Sequence, residues 1–275
     1  MLSRLHLFEF TDQRWCPRAI RQLVTDYLGA ILMVTRTHDP VAPMLAEALR
    51  DLGTHRIVDL CSGSGGSLFS LKEQIQRRLG GEIEVVMTDL FPNVDIVARL
   101  DATGRDGLRY LAEPVDARAV PLRLTGLRTM FESLHHFRPH HVRQVLQDAV
   151  NRRTGIASIE VTARSLHSAL LVLASPLVIL FLTPWIRPFR WWRLLLTYAV
   201  PVASFVVLWD GLVSCLRTYT REELYELISE LDDGGSYDWV FEQRLVRGAP
   251  LSCLIGLPKN HDDTSGSRDE AVARL

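Results

Sequence analysis

Arg56-Ile-Val-Asp-Leu-Cys-Ser-Gly-Ser-Gly-Gly66 is the stretch on which the fold turns. An apolar strand runs into a glycine-rich turn, and SLFSLKEQIQRRLG continues it at helical spacing. Glycines let the backbone approach a ligand closely, and the start of the next helix offers free N–H groups and the positive end of a dipole. That geometry suits a nucleotide-like cofactor. Taken alone, it leaves open a dinucleotide-binding fold with a related turn, or a glycine turn that holds nothing.

Outward from this turn, strand-like and helical runs alternate. Strands are expected over 55–60, 82–90, 108–117, 122–132 and 155–163, with helices over 67–80, 94–104 and 140–153 between them. A helix over 221–231 and two strands near 237–245 and 251–258 follow. Such alternation predicts βαβ units and a mostly parallel, doubly wound α/β sheet. Before it, residues 17–50 read as two amphipathic helices. After it, the polar tail from residue 259 is expected to fray.

One stretch breaks the pattern. SALLVLASPLVILFLTPWI (168–186) and LLLTYAVPVASFVVLW (194–209) carry no charge and are joined by RPFRWWR. Each is about as long as the shortest membrane-spanning helices, roughly 17 residues, and Trp beside Arg is the composition of a membrane interface. A helical hairpin in contact with lipid is expected over residues 168–209. Arg187, Arg190 and Arg193 would sit on the far side of a crossing hairpin, against the positive-inside tendency, and Pro176, Pro184 and Pro201 shorten the helices. The reading favours a monotopic hairpin over a crossing one. A buried helical pair or an apolar dimer interface is the alternative.

Composition narrows the partners. The 275 residues hold 31 Lys+Arg against 32 Asp+Glu without a long basic stripe, so nucleic acid is not an expected partner. Cys16, Cys61, Cys215 and Cys253 lie far apart, which speaks against a zinc site and a disulfide framework and fits a reducing cytosol. Glu9 and Asp12 fall where a secretory signal needs an apolar core, so no cleavable targeting segment is expected.

In its order of motifs the sequence resembles the class I S-adenosylmethionine-dependent methyltransferases. Asp59, Ser62, Gly63 and Gly65 resemble that family's first motif, which implies a carboxylate near the methionine amino group and a turn beneath the cofactor. Asp89 and Leu90 stand where the resemblance implies contacts to the ribose, and Asp116 with Ala117 where it implies contacts to the adenine. TMFESLHHF and LRTYTREELYELI are similar to the segment lining the methyl end and to the opening of the late helix. Cys61 departs from the glycine the family usually has there. Leu68 falls where a nicotinamide site would want the third glycine of G-x-G-x-x-G. As plain structural residues, Asp59 and Asp89 would be caps and Asp116 part of a loop.

The resemblance implies a Rossmann-like, seven-stranded domain over 51–167 and 210–260 that uses S-adenosyl-L-methionine, with 1–50 as a helical cover, 168–209 inserted and 261–275 a flexible tail. Methyl transfer mainly needs the acceptor aligned and, for some acceptors, deprotonated. His135 and His136 are the candidate bases, and Glu132 at the same strand end is a third candidate. Trp15, Arg21, Asp26 and Tyr27 in the leading segment are candidates for the acceptor pocket. His140 and His141 lack a completing ligand, so no metal is expected. The expected function is methylation of an oxygen, nitrogen or carbon of a hydrophobic molecule or lipid, at the cytoplasmic side of a membrane. A non-catalytic membrane-attached scaffold and a nicotinamide oxidoreductase are the alternatives.

Overall fold

The computed structural model describes residues 3–93, 96–98, 100, 107–187 and 189–259. Its seven strands are β1 (Arg56–Leu60), β2 (Glu84–Met87), β3 (Leu108–Tyr110), β4 (Leu127–Phe131), β5 (Ile156–Glu160), β6 (Tyr237–Val246) and β7 (Ala249–Pro258). They form one sheet in the order β3-β2-β1-β4-β5-β7-β6, in which β7 alone runs antiparallel to both its neighbours. This is the expected doubly wound α/β fold. Strands β1 and β5 are buried nearly throughout, as unalternating apolar strands covered on both faces must be.

Helix α1 (Arg18–Thr35) packs on the apolar insertion, while α2 (Ala42–Asp51), α3 (Leu68–Leu79), α4 (Pro139–Asn151) and the late helix Arg221–Ser229 flank the sheet. Two apolar cores result, one where α2 and α3 meet the sheet and one where α4 and the late helix meet it. Thr220 and Glu223 cap the late helix reciprocally. From β1 the chain winds to β2 and β3 on one side, and it resumes at β4 on the other. The loops after β1 and β4 therefore part at a switch point, where ligands of such sheets bind.

Strands β2 to β5 are all shorter than the sequence predicts, β3 and β4 most of all. Beyond Tyr110 lies Glu113-Pro114, and proline cannot supply a ladder donor. β4 begins only at Leu127, because Gly126 has φ +132° and lies so close to β1 that a Cβ there would stand 2.5 Å from the Arg56 carbonyl oxygen. Ile96–Ala98 and Leu100 are helical, while the rest of the helix expected over 94–104 falls outside the described residues, as does the tail beyond Lys259.

Between β5 and the late helix stands the apolar insertion. Helices α5 (Leu166–Leu173) and α6 (Ser175–Leu182) belong to one apolar stretch, Leu166–Trp185, of 20 residues with mean hydropathy 2.2. The return limb is Trp191–Ala199, then α7 (Val202–Arg217), bent by 77° between them. Pro201 lies at the bend, where it interrupts regular helix. α7 continues past residue 209, the end of the apolar run, to Arg217. The insertion does not stand alone, since Leu23 and Tyr27 of α1 share a third core with Ile179, Ile186, Ala203 and Val207.

Candidate active site

The glycine turn is stapled before it is open. Ser62 donates from its backbone N–H to Thr88 O (2.9 Å) and from its hydroxyl to Asp59 Oδ2 (2.5 Å). Thr129 Oγ1, on the neighbouring strand, donates to Asp59 Oδ1 at 2.6 Å. Among the described residues the partners of this buried carboxylate are hydroxyls, and burial pushes its pKa up to about 7 against their pull. A ligand ammonium would supply the missing countercharge. Gly63 has φ +50° and nothing within 4 Å of where a Cβ would stand, whereas a Cβ on Gly65 would strike Met87 Sδ at 2.5 Å. Cys61 takes the glycine-like φ of 58°, a conformation that costs a non-glycine residue about 1 kcal/mol. Burial pushes its thiol up, so it stays protonated.

Asp89 closes β2 and faces the same turn. Its Oδ2 accepts the Gly63 N–H at 3.0 Å and its Oδ1 the Phe91 N–H at 2.8 Å; burial raises its pKa. Each oxygen keeps a lone pair for a ligand hydroxyl. Leu90 beside it is exposed. Asp116 is held by Arg118, whose Nε and Nη2 reach its two oxygens at 2.9 and 2.6 Å and hold its carboxyl below the usual range. Ala117 turns its methyl into the core instead.

At the ends of β4 and β5, three histidines meet four carboxylates. His38 Nε2 lies 2.9 Å from Glu132 Oε1 and its Nδ1 lies 2.6 Å from Ser67 Oγ, joining the leading segment to the loops after β1 and β4. Glu132 also accepts the Val161 N–H at 2.9 Å, and burial raises its pKa. His135 Nδ1 is 2.6 Å from Glu160 Oε2, while Glu160 Oε1 accepts the N–H of Leu134 at 2.9 Å. Burial opposes the charge on Glu160, but His135 holds its pKa low. With a carboxylate on Nδ1, the neutral ring carries its proton there and presents Nε2 as an acceptor.

His136 is a different kind of group. Its Nδ1 lies 3.3 Å from Glu9 Oε2 and 3.1 Å from Asp12 Oδ1. Burial works against its charge, yet the two carboxylates raise its pKa to about 9. Asp12 is held low in return, by His136 and by Arg217, whose Nη1 reaches it at 2.7 Å. Glu9, His135 and His136 place ligand atoms within 4.8 Å of one another, a set the sequence did not predict. Arg217 Nη1, at 3.1 Å from Glu9 and 3.4 Å from His136, already puts a cation among them.

The four residues expected in the acceptor pocket are not gathered in one place. Arg21 donates to the carbonyls of Thr11 and Gln13 at 2.9 and 2.7 Å, Asp26 pairs with Arg193, and Tyr27 is buried against the insertion. Trp15 is exposed beside Phe10. Sequence reasoning missed Glu160, His38, Ser67 and Arg217. Only Glu160 had a local signal, as the lone charge closing the apolar strand Ile156–Glu160.

No protein-family model and no curated protein matches the chain. It is similar to human N-acetylserotonin methyltransferase in complex with S-adenosylmethionine: 13% identity over 88% of this chain and 57% of that one, TM-score 0.49. It is also similar to an O-methyltransferase family protein from Burkholderia thailandensis (14%, 83% and 58%, TM-score 0.44). The methyltransferase domain of bacterial CtHen1 is a third (12%, 80% and 99%, TM-score 0.47). The chain spans about half the length of most such structures. Its fold assignment rests on its own strand order.

Proposed function

We propose that the chain is an S-adenosylmethionine-dependent methyltransferase acting on a hydroxyl, amine or carbon of an apolar small molecule. The observation that carries this is Asp59, a buried carboxylate bonded to two hydroxyls at the switch point, beside a glycine turn that is open at Gly63. S-adenosylmethionine would bring an ammonium for Asp59, ribose hydroxyls for Asp89 and a sulfonium-borne methyl group as electrophile. Asp116 would serve the adenine amino group only by sharing its carboxylate with Arg118.

For acceptor chemistry the two histidines divide the work. His135, oriented by Glu160, can take a proton at Nε2. His136, held charged by Glu9 and Asp12, is a fixed cation at neutral pH and orients rather than deprotonates. Glu132 braces the loop through His38 and Val161.

The apolar acceptor and the membrane location belong to the same proposal. Only 17% of the hydrophobic window in Leu166–Trp185 is buried, far less than in a core helix. All four cysteines are free thiols, in keeping with the cytoplasmic side of a membrane. The test is calorimetric titration of the detergent-solubilised chain with S-adenosylmethionine and S-adenosylhomocysteine, beside Asp89→Ala and an NADH control. Saturable binding of both sulfur compounds, lost in the variant, is expected. Binding of NADH alone would overturn the reading, and cofactor binding without turnover on any lipid extract would point to the scaffold.

A further inference from the structure

The segment before α1 is an arm lying over the histidines. Arg4 Nη2 donates to the carbonyls of His135 (3.3 Å) and Phe137 (2.9 Å), and Glu9 reaches His136. Its other anchors lie on α7, the return helix of the insertion. Asp210 takes the N–H groups of Phe10 and Thr11 at 2.7 and 3.1 Å, Arg217 Nε donates to Leu7 O at 2.8 Å, and Trp209 Nε1 donates to Phe8 O at 3.0 Å.

The arm's outer side is aromatic. Phe10 centres a cluster with Phe8, Trp15 and Phe205, at ring distances of 5.3, 5.9 and 5.7 Å. Trp15 is 65% exposed, and Phe8 and Phe205 are exposed as well. The cluster shares α7 with the insertion, whose Leu170, Leu177, Phe181 and Trp185 also face outward. Every Lys, Arg, Asp or Glu from Gln13 to Thr25 and from Leu166 to Trp209 is an arginine. Of the nearby acids, Asp12 and Asp26 are paired with Arg217 and Arg193, and Asp210 is buried against the N–H groups of the arm.

The far end of the hairpin is tied down. Arg190 Nη1 donates to Gln22 Oε1 at 2.8 Å and Arg193 pairs with Asp26, both on α1. Farther along α1, Gly29 abuts the glycine turn, since a Cβ on Gly66 would stand 3.2 Å from Gly29 Cα. From Gln22 to Gly29 the helix rises about 10 Å, whereas a bilayer core is about 30 Å thick. With these contacts in place the tip cannot lie across the membrane from the cofactor turn.

We infer that the insertion's outer face and the arm's aromatic cluster together form a one-leaflet docking surface for an anionic lipid bilayer, with the arm as the edge an apolar acceptor passes to reach His135. Aromatic rings with arginines suit the headgroup boundary. Arginines whose neighbouring acids Asp12 and Asp26 are already paired select anionic lipid over neutral lipid, and they set a second copy of the same face against itself. The passage to His135 rests on the methyltransferase reading, whereas the docking surface does not.

The test uses the full chain with detergent removed in the presence of vesicles. Flotation compares phosphatidylcholine vesicles with and without phosphatidylglycerol, for the natural chain and for Arg14→Gln/Arg18→Gln/Arg187→Gln. Bromine-labelled acyl chains then quench tryptophan fluorescence in the natural chain and in Trp15→Phe. Preference for anionic vesicles is expected, falling on the order of 100-fold in the triple variant, with a quenchable component missing from Trp15→Phe. Equal partition into both vesicle types would overturn the anionic docking. Identical quenching in Trp15→Phe would remove the arm from the surface. A dimer by sedimentation equilibrium that does not float would make the face a contact between copies. Cofactor titration of the same preparations is separate: its failure removes the methyltransferase reading and leaves the flotation result standing.

Discussion

The α/β body and the apolar insertion are built inside out with respect to each other. The body closes two cores of Leu, Ile and Val over the sheet and confines its buried carboxylates to the strand ends. The body buries one arginine, Arg128 paired with Asp148, whereas the insertion buries Arg193 and Arg217 while leaving a run of apolar side chains such as Phe181 (79%) and Leu166 (76%) exposed. Burying charge costs free energy unless it is paired, and exposing apolar surface to water costs it too. The insertion meets the first condition through Asp26, Glu9 and Asp12. For the second we propose a medium other than water, which flotation tests.

The sharpest way to break this comparison is Arg217→Ala. It strips the cation from buried Glu9 and from Asp12, and should cost about 3–5 kcal/mol in denaturant unfolding in detergent, whereas Arg187→Ala at the exposed tip should change stability by less than about 0.5 kcal/mol. Equal effects would mean that the inward charges of the insertion do not hold the arm.

Asp59→Asn comes next. Losing a charge-assisted contact to the ligand ammonium should weaken S-adenosylmethionine binding by about 1.5–3 kcal/mol, measured by calorimetry. In the free protein the sign reverses. Because burial raises the Asp59 pKa from 3.8 to about 7, the folded state holds a proton that the unfolded state has released between those values. The stability contributed by Asp59 is therefore present below pH 4 and lost as pH rises toward 7. The asparagine variant should show no such loss, and parallel pH–stability curves for the two proteins would contradict the assignment.

His136 gives a profile of the same sign at the arm, in a higher pH window. Its pKa is raised from 6.5 to about 9, so the stability it contributes is full below pH 6.5 and lost as pH rises through 9. Glu9→Gln/Asp12→Asn should shift the histidine titration seen by NMR downward and flatten that window. Smaller again, Cys61→Gly relieves the left-handed φ and should raise stability by up to about 1 kcal/mol. Smallest is Phe181→Ser, which should leave unfolding in detergent within about 0.5 kcal/mol while reducing aggregation once detergent is removed.

Much of the body was legible in the chain. An apolar run of four to six residues, a glycine turn and a helix at 3.6-residue spacing are local patterns, so β1, its turn and α3 could be read directly. The same holds for Asp59 and Asp89, whose places at strand ends follow from where the strands stop. The ends of β3 and β4 were less legible, because Glu113-Pro114 and the approach of Gly126 to Arg56 act through the neighbouring ladder.

What the sequence by itself determined is the alternation of elements, the glycine turn with its carboxylates and the apolar character of residues 168–209, since each depends on spacing within one segment. Only the tertiary structure decided that His135 answers to Glu160 and His136 to Glu9 and Asp12, that His38 bridges Ser67 and Glu132, and that Arg193 folds back onto Asp26. Those partners lie from 25 to 167 positions apart in the chain. Electrostatic coupling depends on distance through space, and periodicity within a segment carries no record of which distant segment will come within ion-pair distance.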